Sequence, residues 1–284
     1  VESLQIGEVK ITAVLAGRLR LDGGAMFGII PKPHWSKRMP PDGLNRIGMA
    51  MWCFLIEVDG QRSLVETGFG GKVTDRLREI HALEEDPGLV ASLRAAGVDA
   101  KSIDRVILSH LHQDHAGGAT TGTEKDYVPT FPNARYVIQE GEWKDAREAD
   151  GQSVNAYPQA SVMDPLEAAS VVDFVDGDVD LGTIRLVQTP GHTRAHQSVL
   201  IESKGEAFFF AGDLVPTTHH LRPLYVMAFD HYPRETFLNK QIWLREAVEG
   251  GWWLATPHDP DLPWVQIRED SRDDYAVIEL GASG

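Results

Sequence analysis

Short apolar runs that alternate with polar residues recur along most of the chain, and stretches with apolar positions three or four apart lie between them. The first clear pair is Cys53–Val58 and Ser63–Glu66, flanking Asp59-Gly60, a dipeptide suited to a two-residue hairpin turn. Further β-branched or aromatic runs are Arg105–Leu108, Ala134–Ile138, Ile184–Gln188, Ser198–Ile201, Ala207–Phe210 and Trp252–Ala255. The spacing predicts helices over Val73–His81, Leu89–Ala96, Glu140–Ala149, Pro233–Glu249 and Asp270–Leu280. The best of them is Pro233–Glu249, where Phe237, Ile242 and Leu244 stand among charged residues. Strands and helices mix throughout with no linker, which predicts one α/β domain over residues 1–284.

Residues 23–45 break the pattern. Pro31, Pro33, Pro40 and Pro41 stand beside Met26, Phe27, Trp35 and Met39. Proline removes a backbone donor and fixes φ, so a regular helix or central strand is excluded there. The segment is expected to be an extended arm or loop whose apolar side chains are exposed or partner-covered. Residues 120–171 are poorer in pattern, and read either as a cap over a site or as a surface excursion.

Composition narrows the function classes. The chain has 284 residues, 42% hydrophobic and 24% charged, enough for a core without staples. Its net charge of −15 argues against a nucleic-acid partner, whose phosphates call for Lys and Arg. The lone Cys53 excludes a disulfide framework and a Cys-rich zinc site. No run approaches the roughly 20 apolar residues of a membrane span. The first residues lack the basic start and apolar middle of a signal peptide, so a cytoplasmic location is expected. The chain begins with Val1, which leaves upstream processing open.

The chemistry concentrates in Ser-His-Leu-His-Gln-Asp-His, residues 109–115. His110, His112, Asp114 and His115 are nitrogen and oxygen donors suited to zinc or a similar divalent ion, and a turn after a strand can offer them to two adjacent ions. His192, Asp213 and His258 each follow an apolar run by a few residues, as His110 does. In open α/β sheets such strand ends are where sites form.

The string His-x-His-x-Asp-His at residues 110–115, followed by His192, Asp213 and His258, resembles the metallo-β-lactamase superfamily over roughly residues 50–260. The resemblance implies an αββα sandwich. It implies that His110, His112 and His192 hold one metal, that Asp114, His115 and His258 hold a second, and that Asp213 bridges them. Asp213 and Asp114 are then the catalytic carboxylates, with Asp213 passing a proton to the leaving alkoxide. Glu66 stands where the superfamily usually has Asp as a support for the ligands, and His196 is a candidate partner behind His192. Two ions about 3.5–4 Å apart can share a hydroxide. Lowering the pKa of water from about 15.7 to about 7 is worth on the order of 12 kcal/mol, beyond any side-chain base here. Zinc is the default ion, with manganese, cobalt or iron fitting the same donors.

Several branches are pruned. Asp213 is not Cys, and His112 is not Glu, which sets aside the Cys-ligand β-lactamases and the di-iron branch. The short stretch after His258 leaves no room for a glyoxalase II type helical domain. Residues 24–35, Asn45-Arg46-Ile47, residues 213–217 and Met227-Ala228-Phe229-Asp230 resemble YtnP-type quorum-quenching lactonases and methyl parathion hydrolase. That resemblance implies opening of the ring of N-acyl-homoserine lactones, with organophosphate or aryl-ester hydrolysis as the alternative and a non-catalytic metal sensor as a third reading; it also implies that the arm of residues 23–45 helps form a homodimer. A Tyr usual in such lactonases is replaced by Pro216, so His219, His220 or Tyr225 is the candidate substitute. Met26, Phe27 and Trp35 are candidates to line an acyl pocket, whereas His34, His81 and His231 are assigned no role.

Overall fold

The computed structural model describes residues 2–85, 87–124, 126–149, 151, 153–271 and 274–278. The chain first lays down β1 (Ser3–Ile6), β2 (Val9–Asp22), β3 (Arg46–Val58), β4 (Gln61–Val65) and β5 (Arg105–Ile107). A small ribbon of β6 (Thr120–Thr121) and β7 (Val128–Pro129) follows. Then β8 (Arg135–Gln139) and β9 (Val172–Val175) complete a seven-stranded sheet in the order β1-β2-β3-β4-β5-β8-β9. The second seven-stranded sheet runs in chain order: β10 (Val179–Asp180), β11 (Ile184–Gln188), β12 (Gln197–Ser203), β13 (Glu206–Phe210), β14 (Trp253–Ala255), β15 (Trp264–Ser271) and β16 (Asp274–Val277). In each sheet, antiparallel hairpins give way to parallel pairing: β4 with β5, β5 with β8 and β8 with β9 in one, β13 with β14 in the other.

Strand alternation builds the layers. Phe54 and Ile56 on β3 meet Phe208 and Phe210 on β13 between the sheets, and the Phe54 ring lies 5.5 Å from that of Phe208. The intervening Cys53 and Leu55 face outward into a second cluster, and Phe209 faces outward into a third. Phe209 stacks at 5.1 Å on Trp243 of the long helix Pro233–Glu249. Helices therefore cover both outer faces of a two-sheet sandwich, the αββα arrangement.

The hairpin at Asp59-Gly60 forms as expected, with φ of 50° and 76° at the turn. The predicted helices near residues 75, 89, 140 and 233 form as Asp75–Ile80, Leu89–Ala95, Glu140–Arg147 and Pro233–Glu249. The expected helix over Asp270–Leu280 does not. Its described part is a hairpin in which Ile267 pairs with Val277 and Glu269 with Tyr275. Tyr275 and Val277, two apart, both pack against the outer cluster beneath the long helix, which a helical period would not allow. Residues 272–273 and 279–280 of that stretch lie outside the described residues.

Residues 23–45 also depart from expectation. Two short helices, α1 (Gly23–Phe27) and α2 (Lys32–Trp35), form there, because Pro33 occupies the first turn of α2, where no N–H is needed. The apolar side chains that mark it in the sequence, Met26, Phe27, Trp35 and Met39, are not on the surface, whereas Ile29 and Leu44 are. Met26, Phe27 and Trp35 are fully buried in the chain's own core, where Phe27 stacks on Trp35 and His220. Gly28, at φ 54°, lets this segment pass within 2.5 Å of the Val226 carbonyl as measured from a Cβ it does not have.

A candidate dinuclear metal centre

Two residues beyond β5, the chain turns inward and delivers His110 and His112, then starts a single helical turn, α3 (Gln113–Ala116), that carries Asp114 and His115. The second sheet supplies the rest: His192 after β11, Asp213 on a tight turn after β13, and His258 after β14. The structure brings these side chains into three overlapping groups: His110, His112 and His192; His110, His115 and Asp213; and Asp114, His115 and His258. Within each group the potential ligand atoms lie within 4.8 Å of one another. Asp213 stands between the outer two. Its Oδ2 is 3.3 Å from His192 Nε2, and its Oδ1 is 3.5 Å from His115 Nε2 and 3.3 Å from His258 Nε2.

The far side of the rings is tied down. His115 Nδ1 lies 2.9 Å from Glu66 Oε2, His192 Nδ1 2.9 Å from Asp230 Oδ1, and His258 Nδ1 2.9 Å from the Ala50 carbonyl. These oxygens accept, so each Nδ1 carries the proton and each Nε2 turns a lone pair inward. The result is a convergence of acceptors: His258 Nε2 is 3.1 Å from His115 Nε2, and His112 Nδ1 is 2.9 Å from His192 Nε2. His110 Nε2 and Asp213 Oδ1 are buried and have no hydrogen-bond partner among the described residues. Lone pairs facing one another in a buried site call for cations, and a His/Asp set of this size fits divalent metals.

The electrostatics divide the ligand rings. Burial drives His110 and His112 well below the usual histidine range, leaving them neutral as ligands must be. For His115, burial is outweighed by Asp213, Asp114 and Glu66, which hold its pKa well above the usual value, and Asp213 and Asp230 raise that of His192 in the same way, so a cation binding there would displace a proton from each Nε2. Burial opposes the Asp213 charge, yet His115, His258 and His192 keep its carboxyl well below the ordinary carboxylate range.

A polar frame fixes the loops. Glu66 sits at φ 67°, a conformation that costs a non-glycine residue about 1–3 kcal/mol. In return one carboxylate oxygen accepts the Ser109 N–H at 2.8 Å while the other holds His115. His196 Nε2 accepts the Asp213 N–H at 3.1 Å, and its other nitrogen lies 2.8 Å from the Thr189 hydroxyl. Gly212 leaves that ring its room, since a Cβ there would meet His196 Nε2 at 2.5 Å. Glu142, buried, accepts the Leu111 N–H at 3.0 Å and the Thr193 hydroxyl at 2.6 Å, clamping the loops of His110–His112 and His192 together. Burial pushes its pKa up to about 7.

The cluster floors a cavity of about 360 Å³ whose wall includes Leu19, Leu21, Met26, Leu77 and Phe229. Of the expected substrate contacts, only Met26 reaches it. Phe27, His220 and Tyr225 pack behind Met26. His220 is held by Thr217 Oγ1 at 2.8 Å and the Met26 carbonyl at 2.9 Å, and Tyr225 lies edge-on to Phe27. Trp35 and His219 are likewise absent from the lining. Conversely, His81 and His231, given no role from sequence, both line the cavity. Asp230 and Glu142 were also missed, because each acts on a ligand loop dozens of residues away. Part of the poorly patterned stretch covers the site: Ser153, Asn155 and Ala156 line the cavity, and the Ala156 carbonyl accepts the Gln113 N–H at 2.9 Å.

Known proteins resemble this chain in sequence and in fold. The chain is 30% identical over 195 residues to the N-acyl homoserine lactonase AttM of Azorhizobium caulinodans, covering 66% of this chain and 69% of that one. It is 26% identical over 207 residues to an N-acyl homoserine lactonase of a Bacillus species, covering 69% and 71%. The crystal structure of a probable metal-dependent hydrolase from Staphylococcus aureus superposes with a TM-score of 0.89 at 28% identity, covering 97% of this chain and 99% of that one. The dizinc quorum-quenching lactonase AidC shares the fold, with a TM-score of 0.79 at 20% identity over 98% and 96% of the two chains. The sequence also fits one family description across residues 48–270, a span that takes in every side chain of the cluster, and on that ground the chain belongs to the metallo-beta-lactamase superfamily.

Proposed function

We propose that this protein is a metal-dependent hydrolase that opens the lactone ring of N-acyl-homoserine lactones. The observation that carries the reading is the convergent His/Asp cluster on the floor of a cavity with an apolar wall. The lactonase names of its relatives support it.

In this reading His110, His112 and His192 hold one ion, Asp114, His115 and His258 hold the other, and Asp213 serves both. Zinc is the proposed occupant, as nitrogen and carboxylate donors favour it. Two bound ions would supply Lewis acidity and water activated near neutral pH. The chain's own residues do the rest. In this reading Asp213, whose Oδ1 is buried and has no hydrogen-bond partner among the described residues, takes a proton and delivers it to the leaving alkoxide. Asp114, held beside His115 and His258, fixes the opposite rim. Leu19, Leu21 and Phe229 receive the acyl chain and exclude water from it. Each buried methylene is worth about 0.8 kcal/mol, roughly fourfold in affinity. A homodimer belongs to the same proposal. Its surface is the exposed Ile29 and Leu44 rather than the buried side chains of that segment, and sedimentation of I29E/L44E against the parent checks it.

The deciding experiment compares initial rates of metal-replete protein on a long-chain N-acyl-homoserine lactone and on an aryl phosphotriester. A much larger kcat/KM on the lactone is expected. The reverse result assigns the protein to organophosphate hydrolysis, and silence on both with two ions bound overturns the substrate assignment.

A further inference from the structure

The cavity above the cluster is one lobe of a larger cleft. A second cavity of about 400 Å³, lined by Asp145, Glu148, Arg194 and Tyr232, adjoins it, and the two share Ser153, Asp230 and His231. The first lobe is walled by aliphatic and aromatic side chains; the second is polar, with Arg194 bonded to Asp145 at 3.1 Å and to the Tyr232 hydroxyl at 2.7 Å. His231 stands at the boundary. Its backbone N–H donates to the His192 carbonyl at 3.0 Å, and its neighbours Asp230 and Tyr232 bond His192 Nδ1 and the Gly191 carbonyl. The main chain under His231 is thus fixed to a loop of the metal cluster. Its ring lies 6.1 Å from that of His112, is exposed to the cleft, and makes no hydrogen bond to the protein among the described residues. Gln113, another polar group of the same cavity, already spends its amide on the Phe69 carbonyl at 3.1 Å.

The geometry points to His231 as the substrate-reading donor of this site. Its ring N–H takes the polar group next to the scissile ester, the side amide of an acylated lactone, and so directs the tail into the apolar lobe. A donor fixed at the border of a wet lobe and a dry one reads which part of the substrate is polar. The inference rests on the lactonase reading for its substrate, and the test separates the two. Initial rates of the parent, His231→Ala and His231→Gln are measured on an N-acyl-homoserine lactone and on an alkyl γ-lactone that lacks the amide, with metal content assayed on each protein. Turnover of the amide-bearing lactone by the parent tests the lactonase reading by itself. For His231, H231A is expected to lose about 10- to 100-fold in kcat/KM on the amide-bearing lactone, mostly through KM, and no more than about twofold on the amide-free one. H231Q, which keeps a donor, recovers part of the loss. An equal loss on both lactones, no loss on either, or a loss of bound metal overturns the assignment.

Discussion

The floor of the site and its wall were built by different rules. The floor takes His110, His112, Asp114 and His115 from one short loop, and adds one residue from each of three strand ends of the second sheet. The wall gathers Leu19 and Leu21 from a strand, Met26 from a helical turn, Leu77 from a surface helix and Phe229 from a loop. A metal demands particular donor atoms at particular distances, so its ligands stay recognisable wherever they fall. An apolar wall demands only shape, which many side chains satisfy. The floor therefore reads as chemistry, while the wall reads as ordinary core.

Breaking the floor has the largest expected effect. Asp213→Ala removes the carboxylate that lies between the two histidine groups and should cut kcat by at least about 10³-fold in metal-replete protein, measured by initial rate and metal analysis. Retained turnover would remove Asp213 from the chemistry.

Lys240 tests how the wall is supported. It is fully buried beneath the wall loop, where its Nζ donates to the Tyr225 carbonyl at 2.7 Å. Burial lowers its pKa to about 7. Between about pH 7 and the usual lysine value the unfolded chain binds the extra proton, so this lysine makes the protein more stable as pH rises and less stable as pH falls to 7. The slope is on the order of 1 kcal/mol per pH unit. Lys240→Met should flatten that part of the stability curve, read by urea unfolding from pH 7 to 10.

Glu142 sharpens the comparison from the floor side. Glu142→Gln keeps the shape but meets two arriving donors with a single acceptor oxygen. Metal affinity should fall about 10- to 100-fold in a chelator competition, with the fold intact by circular dichroism. The smallest effect belongs to the wall. Phe229→Ala trims an already half-exposed ring, and should raise KM for long-chain lactones about three- to tenfold while leaving short chains unchanged.

Much of this was legible in the residues. The membership of the cluster followed from short strands that end in ligand residues, because burial and donor chemistry both leave local marks, whereas the sandwich followed only from the resemblance carried by the His-x-His-x-Asp-His string. The C-terminal hairpin was not legible, since Asp270–Leu280 carries enough charge to pass for a surface helix, and only its pairing with β15 reveals the period of two. The segment with Met26, Phe27 and Trp35 was misread for a related reason: proline marks irregular backbone, which is not the same as exposed backbone. Glu142 and His231 had no local signal at all, and Asp230 stood only within a string that carries the family resemblance, with no role attached to it. Each matters through a backbone or ring it meets only after folding.

The cluster draws His110, His112, Asp114 and His115 from a loop of one sheet and His192, Asp213 and His258 from the other. Whatever ions it binds also fasten the halves of the sandwich to each other. At a free concentration about 1,000 times Kd, each ion would add about 4 kcal/mol against unfolding. Metal supply would then set the lifetime of the protein and its resistance to proteases, so that a cell starved of the ion would lose the molecules themselves as well as their turnover.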